Sequence, residues 1–210
     1  MTVQHLTPKT TRFPTRVSAC LGSETWPGQL AIIGPTELWL DGSLALLCSA
    51  KAPASILLTI HDLAQQWRHG PQTIISGFHS PVEQEAFEIL LRGPGQAIYC
   101  PARSLPRRIK PQWQAALDTG RLTILSPFPD HVRRITKETA IYRNRLVAAL
   151  ADEVLLAYAH PGSSTERLAQ EVQQWGKPVF TLPHRNNAHM QLAGIPVWEG
   201  SQKASQFADE

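Results

Sequence analysis

Cysteine is scarce: only Cys20, Cys48 and Cys100 occur in 210 residues, odd in number, far apart and without a Cys-Xaa-Xaa-Cys spacing. Neither a disulfide framework nor a zinc ribbon is indicated, and a reducing cytoplasm is the expected compartment. No apolar run approaches the roughly 20 residues that span a bilayer, so no membrane association is expected. The opening MTVQHLTPKTTRFP has no apolar core of the kind a secretory signal carries. Several signatures are missing as well. No Gly-Xaa-Gly-Xaa-Xaa-Gly follows the first strand-like segment, which removes the standard NAD fingerprint. There is no Walker A loop, no Gly-Xaa-Ser-Xaa-Gly elbow and no His-Glu-Xaa-Xaa-His. His184 and His189 have no carboxylate or cysteine near them in sequence, so they do not read as a metal pair. Neither a metal nor a cofactor is expected.

Charge is also sparse, at 18% of residues with a net value of +3, too mild to announce a nucleic-acid binder in bulk. Its distribution says more. Arg103, Arg107, Arg108, Lys110, Arg121, Arg133, Arg134, Lys137, Arg143 and Arg145 crowd the middle of the chain, answered there only by Asp118, Asp130 and Glu138. Such a run is either a set of solvated helix faces or a phosphate-facing surface.

The hydrophobic pattern defines the organisation. Residues 1–28 carry Pro8, Pro14 and Pro27 and no sustained period, and read as an extended or irregular lead-in. Residues 29–33 (QLAII) form a first buried strand that ends at Gly34-Pro35, and 44–49 reads as a helix. Pro53 opens a helix through Trp67 with an apolar stripe at helical spacing. Residues 73–75 are a strand that breaks at Ser76-Gly77. Ser80, Pro81 and Glu83 then form a capping box for a helix through Leu91. Strands follow at 96–100 and 122–125, separated by a Pro- and Arg-rich stretch and a helix around 113–117. A long helix at 131–150, a strand at 153–158, a helix at 165–175 and a strand at 179–182 complete the series; 184–192 is loop with a short helical turn, 195–198 adds an edge strand and 201–210 is a frayed polar tail. The length suits one domain, placed at 29–200. Strand and helix alternate, so the fold expected is α/β, a doubly wound and mainly parallel sheet with helices on both faces.

In such a sheet, ligands lie at the carboxyl ends of strands, where helix N-termini present free N–H groups. Two strand ends offer that chemistry: Ser76-Gly77-Phe78-His79-Ser80 and Pro161-Gly162-Ser163-Ser164-Thr165-Glu166. Small residues let the backbone approach a phosphate and hydroxyls add donors. Gly34, at the end of the first strand, joins these candidates. His79 and His160 sit at strand-to-helix junctions, where an imidazole can donate to phosphate. Ser163 with Glu166 is also a capping box, and Glu166 on that reading only satisfies a helix amide. Arg143 and Arg145 lie roughly 200° apart around a helix, so they cannot face the same way. Arg143, at the border of the packed face, is the expected ligand-side residue, with Asn144 beside it; Arg103 and Lys110 supply further phosphate charge.

Several short segments follow one another in order: Ile74-Ile75-Ser76-Gly77, Ile98-Tyr99-Cys100-Pro101, LTILSP at 122–127, YRNRLVAALAD at 142–152 and KPVFTLP at 177–183. That order resembles the DNA-processing (DprA, Smf) family, a likeness covering about residues 30–183. The resemblance implies an extended Rossmann-like domain that binds single-stranded DNA, dimerises and helps to load a RecA-type recombinase. The helical and winged-helix domains common in that family are not expected within these 210 residues. One departure stands out: Ser80 occupies the place of the arginine in the family's Ser-Gly-Xaa-Ala-Arg-Gly-Ile-Asp. The wider superfamily includes lonely-guy type phosphoribohydrolases, and in that alignment Arg143 falls on their arginine and Glu166 on their glutamate. That likeness implies a hydrolase of nucleoside monophosphates, or a nucleotide sensor without turnover, as the alternatives to single-stranded DNA binding.

Overall fold

A computed structural model describes residues 2–22, 28–40 and 42–200. Eight strands form one sheet in the order β1-β2-β6-β5-β4-β3-β7-β8. They are β1 (Gln4–Leu6), β2 (Leu30–Ile33), β3 (Ser43–Cys48), β4 (Thr73–Ser76), β5 (Gln96–Tyr99), β6 (Leu122–Ser126), β7 (Glu153–Tyr158) and β8 (Val179–Thr181). From β6 to β8 every pairing is parallel, whereas β2 runs antiparallel to β6 and β1 antiparallel to β2. The helices are α1 (Thr15–Leu21), α2 (Ala54–Trp67), α3 (Pro81–Leu91), α4 (Pro111–Asp118), α5 (Lys137–Leu150), α6 (Ser164–Gln174) and the short α7 (Ala188–Leu192). One core lies between the sheet and α1, α5 and α6, and the other between the sheet and α2, α3 and α4. The architecture is thus doubly wound and mainly parallel, as the alternation requires.

Four expectations need correction. Residues 44–49 are not a helix: β3 occupies the middle of the sheet and all six of its residues are buried. Ala45 and Leu47 face one core, Leu44, Leu46 and Cys48 the other, a period of two that burial on both faces hides in the sequence. Helical propensity of Leu and Ala loses there to strand pairing on both sides. The lead-in is not irregular throughout, because β1 and α1 lie within it; α1 buries Val17 and Leu21 and packs on α5. A seven-residue helix shows too few turns to display a period. The helix read at 131–150 starts at Lys137, capped by the reciprocal Thr136 and Thr139 bonds. At 195–198 a single bridge joins Thr181 to Val197 instead of a strand. The polar tail at 201–210 lies outside the described residues. Among the described residues, no helix is long and apolar enough to cross a membrane.

The end of α5 is held by two cations. Lys177 Nζ donates to the carbonyls of Ala148, Ala149 and Ala151 at 2.6–2.8 Å, satisfying groups that a helix leaves open at its C-terminus. Arg16 donates to Leu150 O and pairs with Asp152, whose other oxygen accepts from the Ser43 amide and hydroxyl. Asp152 therefore ties β3 to α5 and α1 and lies away from the strand ends that could carry a site.

Burial pulls the Lys177 ammonium down to about 8 from 10.5. Between those values the unfolded chain holds the proton that the folded chain has released, so the contribution of this group to stability rises with pH. Burial acts oppositely on the Cys100 thiol and the Tyr142 phenol, each pushed up to about 12, which cost stability as the pH climbs past their ordinary values of 9.0 and 10.0. Subtraction isolates the lysine. The stability difference between the native chain and Lys177→Met should widen as pH rises from about 8 to 10.5, read from urea unfolding at each pH. A difference that stays flat or narrows refutes the assignment.

Candidate functional site

The chain builds β3, β4, β5 and β6 outward in one direction, then returns to place β7 on the other side of β3. Strand order reverses between β3 and β7, which is where an open α/β sheet forms a crevice. Two clefts occupy this carboxyl edge. One, of about 480 Å³, lies at the reversal and is lined by Cys48 at the end of β3 and Ser49 to Lys51 after it, by Ser80 and Glu83 after β4, by Arg143 and Asn144 on α5, and by His160 to Thr165 after β7. The other, of about 640 Å³, lies beyond β4 and β5. Its floor is aromatic, with Phe78, Phe87, Tyr99 and Trp113, and its rim carries Arg92, Arg103, Arg108 and Lys110. His79 and Arg143 border both clefts.

Arg143 is the partition. It is 4% exposed, donates from Nη1 to Cys100 O at 3.0 Å and from Nε to Asn144 Oδ1 at 2.7 Å, and lies flat against Gly77. A Cβ built on Gly77 would come within 1.4 Å of Nη1, so the glycine is there for the guanidinium and not for a ligand. The next residue, Phe78, adopts φ 42°, a conformation that costs a side-chain-bearing residue energy. Its ring is held by stacking on Phe87, with centroids 4.2 Å apart. The two bonds that follow are local: Ser76 Oγ accepts from the Phe78 amide, and the Ser80 hydroxyl accepts from Glu83 N as a helix cap.

Glu83 controls the amides that were expected to bind an anion. Buried at 4% exposure, it accepts from Cys48 N through Oε1 at 2.9 Å and from His79 N and Ser80 N through Oε2 at 2.8 and 3.1 Å. A carboxylate of the chain itself thus fills the place of a phosphate at this strand end. Glu166 does the same on the other side, reaching the Gly162 amide at 2.6 Å while Oε1 lies 3.5 Å from His189 Nε2. Ser163 caps α6 by accepting from Glu166 N. Ser76, Ser80 and Ser163 therefore act within their loops, while Ser164 and Thr165, the first residues of α6, also line the crevice.

Two further candidates are displaced. Gly34 lies at the end of β2, on the antiparallel side, and borders neither cleft; its φ of 108° and a virtual Cβ 2.5 Å from Leu122 O show that it serves close approach to β6. Arg145 turns away, as the 200° separation requires, and pairs with Glu171 at 2.6 Å. Lys110 and Arg103 do border the aromatic cleft, where Lys110 Nζ stands 4.9 Å over the Trp113 ring. Burial raises the Tyr99 phenol above its ordinary range, against the pull of Arg103 and Arg143. Lys51 and the aromatic floor escaped the sequence reading. Lys51 follows β3, and reading that segment as a helix concealed a strand end; the aromatic residues come from four elements and share no spacing.

The sheet order and the helices on both faces define a Rossmann-like domain with clefts at its carboxyl edge. The chain belongs to the DNA recombination-mediator protein A family, whose model matches residues 4–204. It is similar in structure to DNA processing protein A from Streptococcus pneumoniae, with a TM-score of 0.79 at 17% identity, over 99% of this chain and 75% of that one. It is also similar to DNA processing protein A from Helicobacter pylori, whose structure is described for its single-stranded DNA binding mode, with a TM-score of 0.74 at 22% identity, over 97% of this chain and 94% of that one. A molybdenum cofactor binding protein from Rippkaea orientalis has a TM-score of 0.54 at 15% identity, over 80% of this chain and 94% of that one. These likenesses establish the shared fold. No curated protein matches the sequence.

Proposed function

We propose that this chain binds single-stranded DNA along the carboxyl edge of its sheet, with bases against the aromatic floor beside β5 and phosphates at the guanidinium and ammonium groups of the rim. The observation that carries the reading is the aromatic cleft itself, bordered by Arg92, Arg103, Arg108, Lys110 and Arg143, with Glu88 as the one acidic side chain among the described residues that line it. Stacking on aromatic side chains combined with a cationic track is the chemistry of single-strand binding, and a duplex, whose bases are already stacked, does not supply free faces. Membership of the recombination-mediator family supports the same reading, as does the binding mode for which the Helicobacter pylori protein is described. Ser80, standing where the family places arginine, shifts the cationic contribution onto Arg103, Arg108 and Lys110. A cytoplasmic location, a homodimer and delivery of the strand to a RecA-type recombinase complete the proposal.

The hydrolase alternative finds no support in the geometry, since the Glu166 carboxylate is engaged with Gly162 and His189. Fluorescence anisotropy with a labelled oligothymidylate tests the proposal. Binding should weaken linearly in log salt, with a slope of about 0.7 for each phosphate neutralised, and an equal duplex should bind less well. Absence of binding at low salt, or a preference for duplex, overturns it.

A further inference from the structure

We infer that a separate phosphate subsite lies beyond the aromatic cleft, in a hollow of about 270 Å³ where Arg103, Arg107, Arg108 and Arg133 surround Ser104. This rests on the single-stranded DNA reading and extends it, because Arg103, Pro106 and Arg108 border both the cleft and the hollow.

Three observations converge. First, among the described residues the lining contains four guanidinium groups and no carboxylate, and none of the four forms a salt bridge. Like charges gathered without a counter-charge create a positive potential that an anion relieves. Second, the Ser104 hydroxyl is buried and makes no hydrogen bond among the described residues, in a residue only 2% exposed that lines the hollow. A buried donor without an acceptor is costly, and a phosphate oxygen is an acceptor of the right kind. Third, the loop is fixed in place. The Ser104 amide donates to Val132 O at 2.9 Å, Ser126 Oγ donates to Arg103 O at 2.8 Å, and Arg133 Nη1 donates to Leu105 O at 3.4 Å. The segment after β5 is thereby pinned to β6 and to the chain that precedes α5, so the backbone that carries the arginines is in place before a ligand arrives.

Guanidinium forks match phosphate oxygens pairwise, and a cluster of them suits a phosphodiester better than a lone carboxylate. The strand that leaves the aromatic cleft past Arg103 and Arg108 meets this hollow next, and one of its phosphates occupies it.

Arg107 and Arg133 border the hollow and not the aromatic cleft, which makes the test selective. Affinity is measured for oligothymidylates from about 4 to about 16 nucleotides, for the native chain and for Arg107→Ala with Arg133→Ala. The native chain should show a step in affinity once the oligomer is long enough to reach the hollow. The double variant should bind the shortest oligomers normally, lose the step by roughly tenfold at low salt and show a salt slope lower by about 0.7. Unchanged long-oligomer affinity and slope in the double variant overturn the subsite while leaving the binding reading intact. A native chain that binds no oligomer removes that reading and the subsite together. Thermal stabilisation by inorganic pyrophosphate that depends on Arg107 and Arg133, without any length step, assigns the hollow to a free polyphosphate and overturns its place on the strand. The unfolding temperature of the double variant without ligand controls for folding.

Discussion

Glu83→Ala should lower the unfolding free energy by about 3–5 kcal/mol, the largest stability loss expected of any single polar substitution at the carboxyl edge. The carboxylate sits almost wholly out of water and accepts three backbone amides, from Cys48 at the end of β3 and from His79 and Ser80 at the start of α3. Truncation leaves all three donors without an acceptor beside a cleft, and water can reach only part of them. The capping box of α3 is lost in the same step, because Glu83 is the residue whose side chain returns to the Ser80 amide. Glu83→Gln retains one acceptor oxygen but turns an amino group toward an amide, and an intermediate loss of about 1–3 kcal/mol is expected. Glu88→Ala is the control. Glu88 lies on the same helix in an exposed pair with Arg92, both side chains 64% exposed, and its removal should change stability by no more than about 0.5 kcal/mol. Urea unfolding of the three variants decides the matter, and a Glu83→Ala chain as stable as Glu88→Ala would show that the amides are satisfied some other way.

Arg143→Ala should reduce affinity for single-stranded DNA by roughly 10- to 100-fold, the largest binding loss expected here. The side chain borders both clefts, so its loss removes a charge from the track and the wall between its two halves. Arg143→Lys should not restore affinity, because one ammonium cannot replace a planar fork that donates to Cys100 O and Asn144 Oδ1 together. Gly77→Ala provides an independent route to the same result. The added methyl would overlap Nη1 and Cζ of Arg143, at 1.4 and 1.9 Å, and must push the guanidinium off its seat although the arginine is still present. A loss of affinity in Gly77→Ala comparable to that in Arg143→Ala, with both chains folded, ties binding to the position of the guanidinium. Native affinity in both variants would move the binding surface elsewhere on the molecule. Because Arg143 is buried and hydrogen-bonded, unfolding curves of both variants belong beside the binding curves, so that loss of affinity is read on folded protein.

These expectations depend on features that differ in how visible they are along the chain. The capping box of α3 needs only Ser80, Pro81 and Glu83 in a row, since its bonds span three residues and the sequence contains both partners. The alternation of strands and helices from β4 to β8 is equally local, because each amphipathic helix displays its own period. The opposite facing of Arg143 and Arg145 follows from helix geometry, and the Glu171 pair that holds Arg145 is its consequence.

Other features have no local trace. Burial on both faces erased the alternation of β3, so the central strand read as a helix and Lys51 was lost with it. The antiparallel addition of β1 and β2 beside β6 depends on pairing between residues far apart in sequence, and three- or four-residue strands carry too little pattern to announce it. Most consequential is the occupant of the strand-end amides. The sequence established that small and hydroxylated residues stand where phosphates are bound in this kind of sheet. Only folding brought Glu83 across to Cys48 and Glu166 back to Gly162, because a carboxylate competes for an amide through space and at close range, and distance between elements is not written in their order. By itself, then, the sequence determined the layering, the helix caps and the edge of the sheet at which a ligand would lie. Tertiary structure decided which of its polar groups remain available there, and it gathered the aromatic floor and the arginines after β5 into the surface that the binding proposal requires.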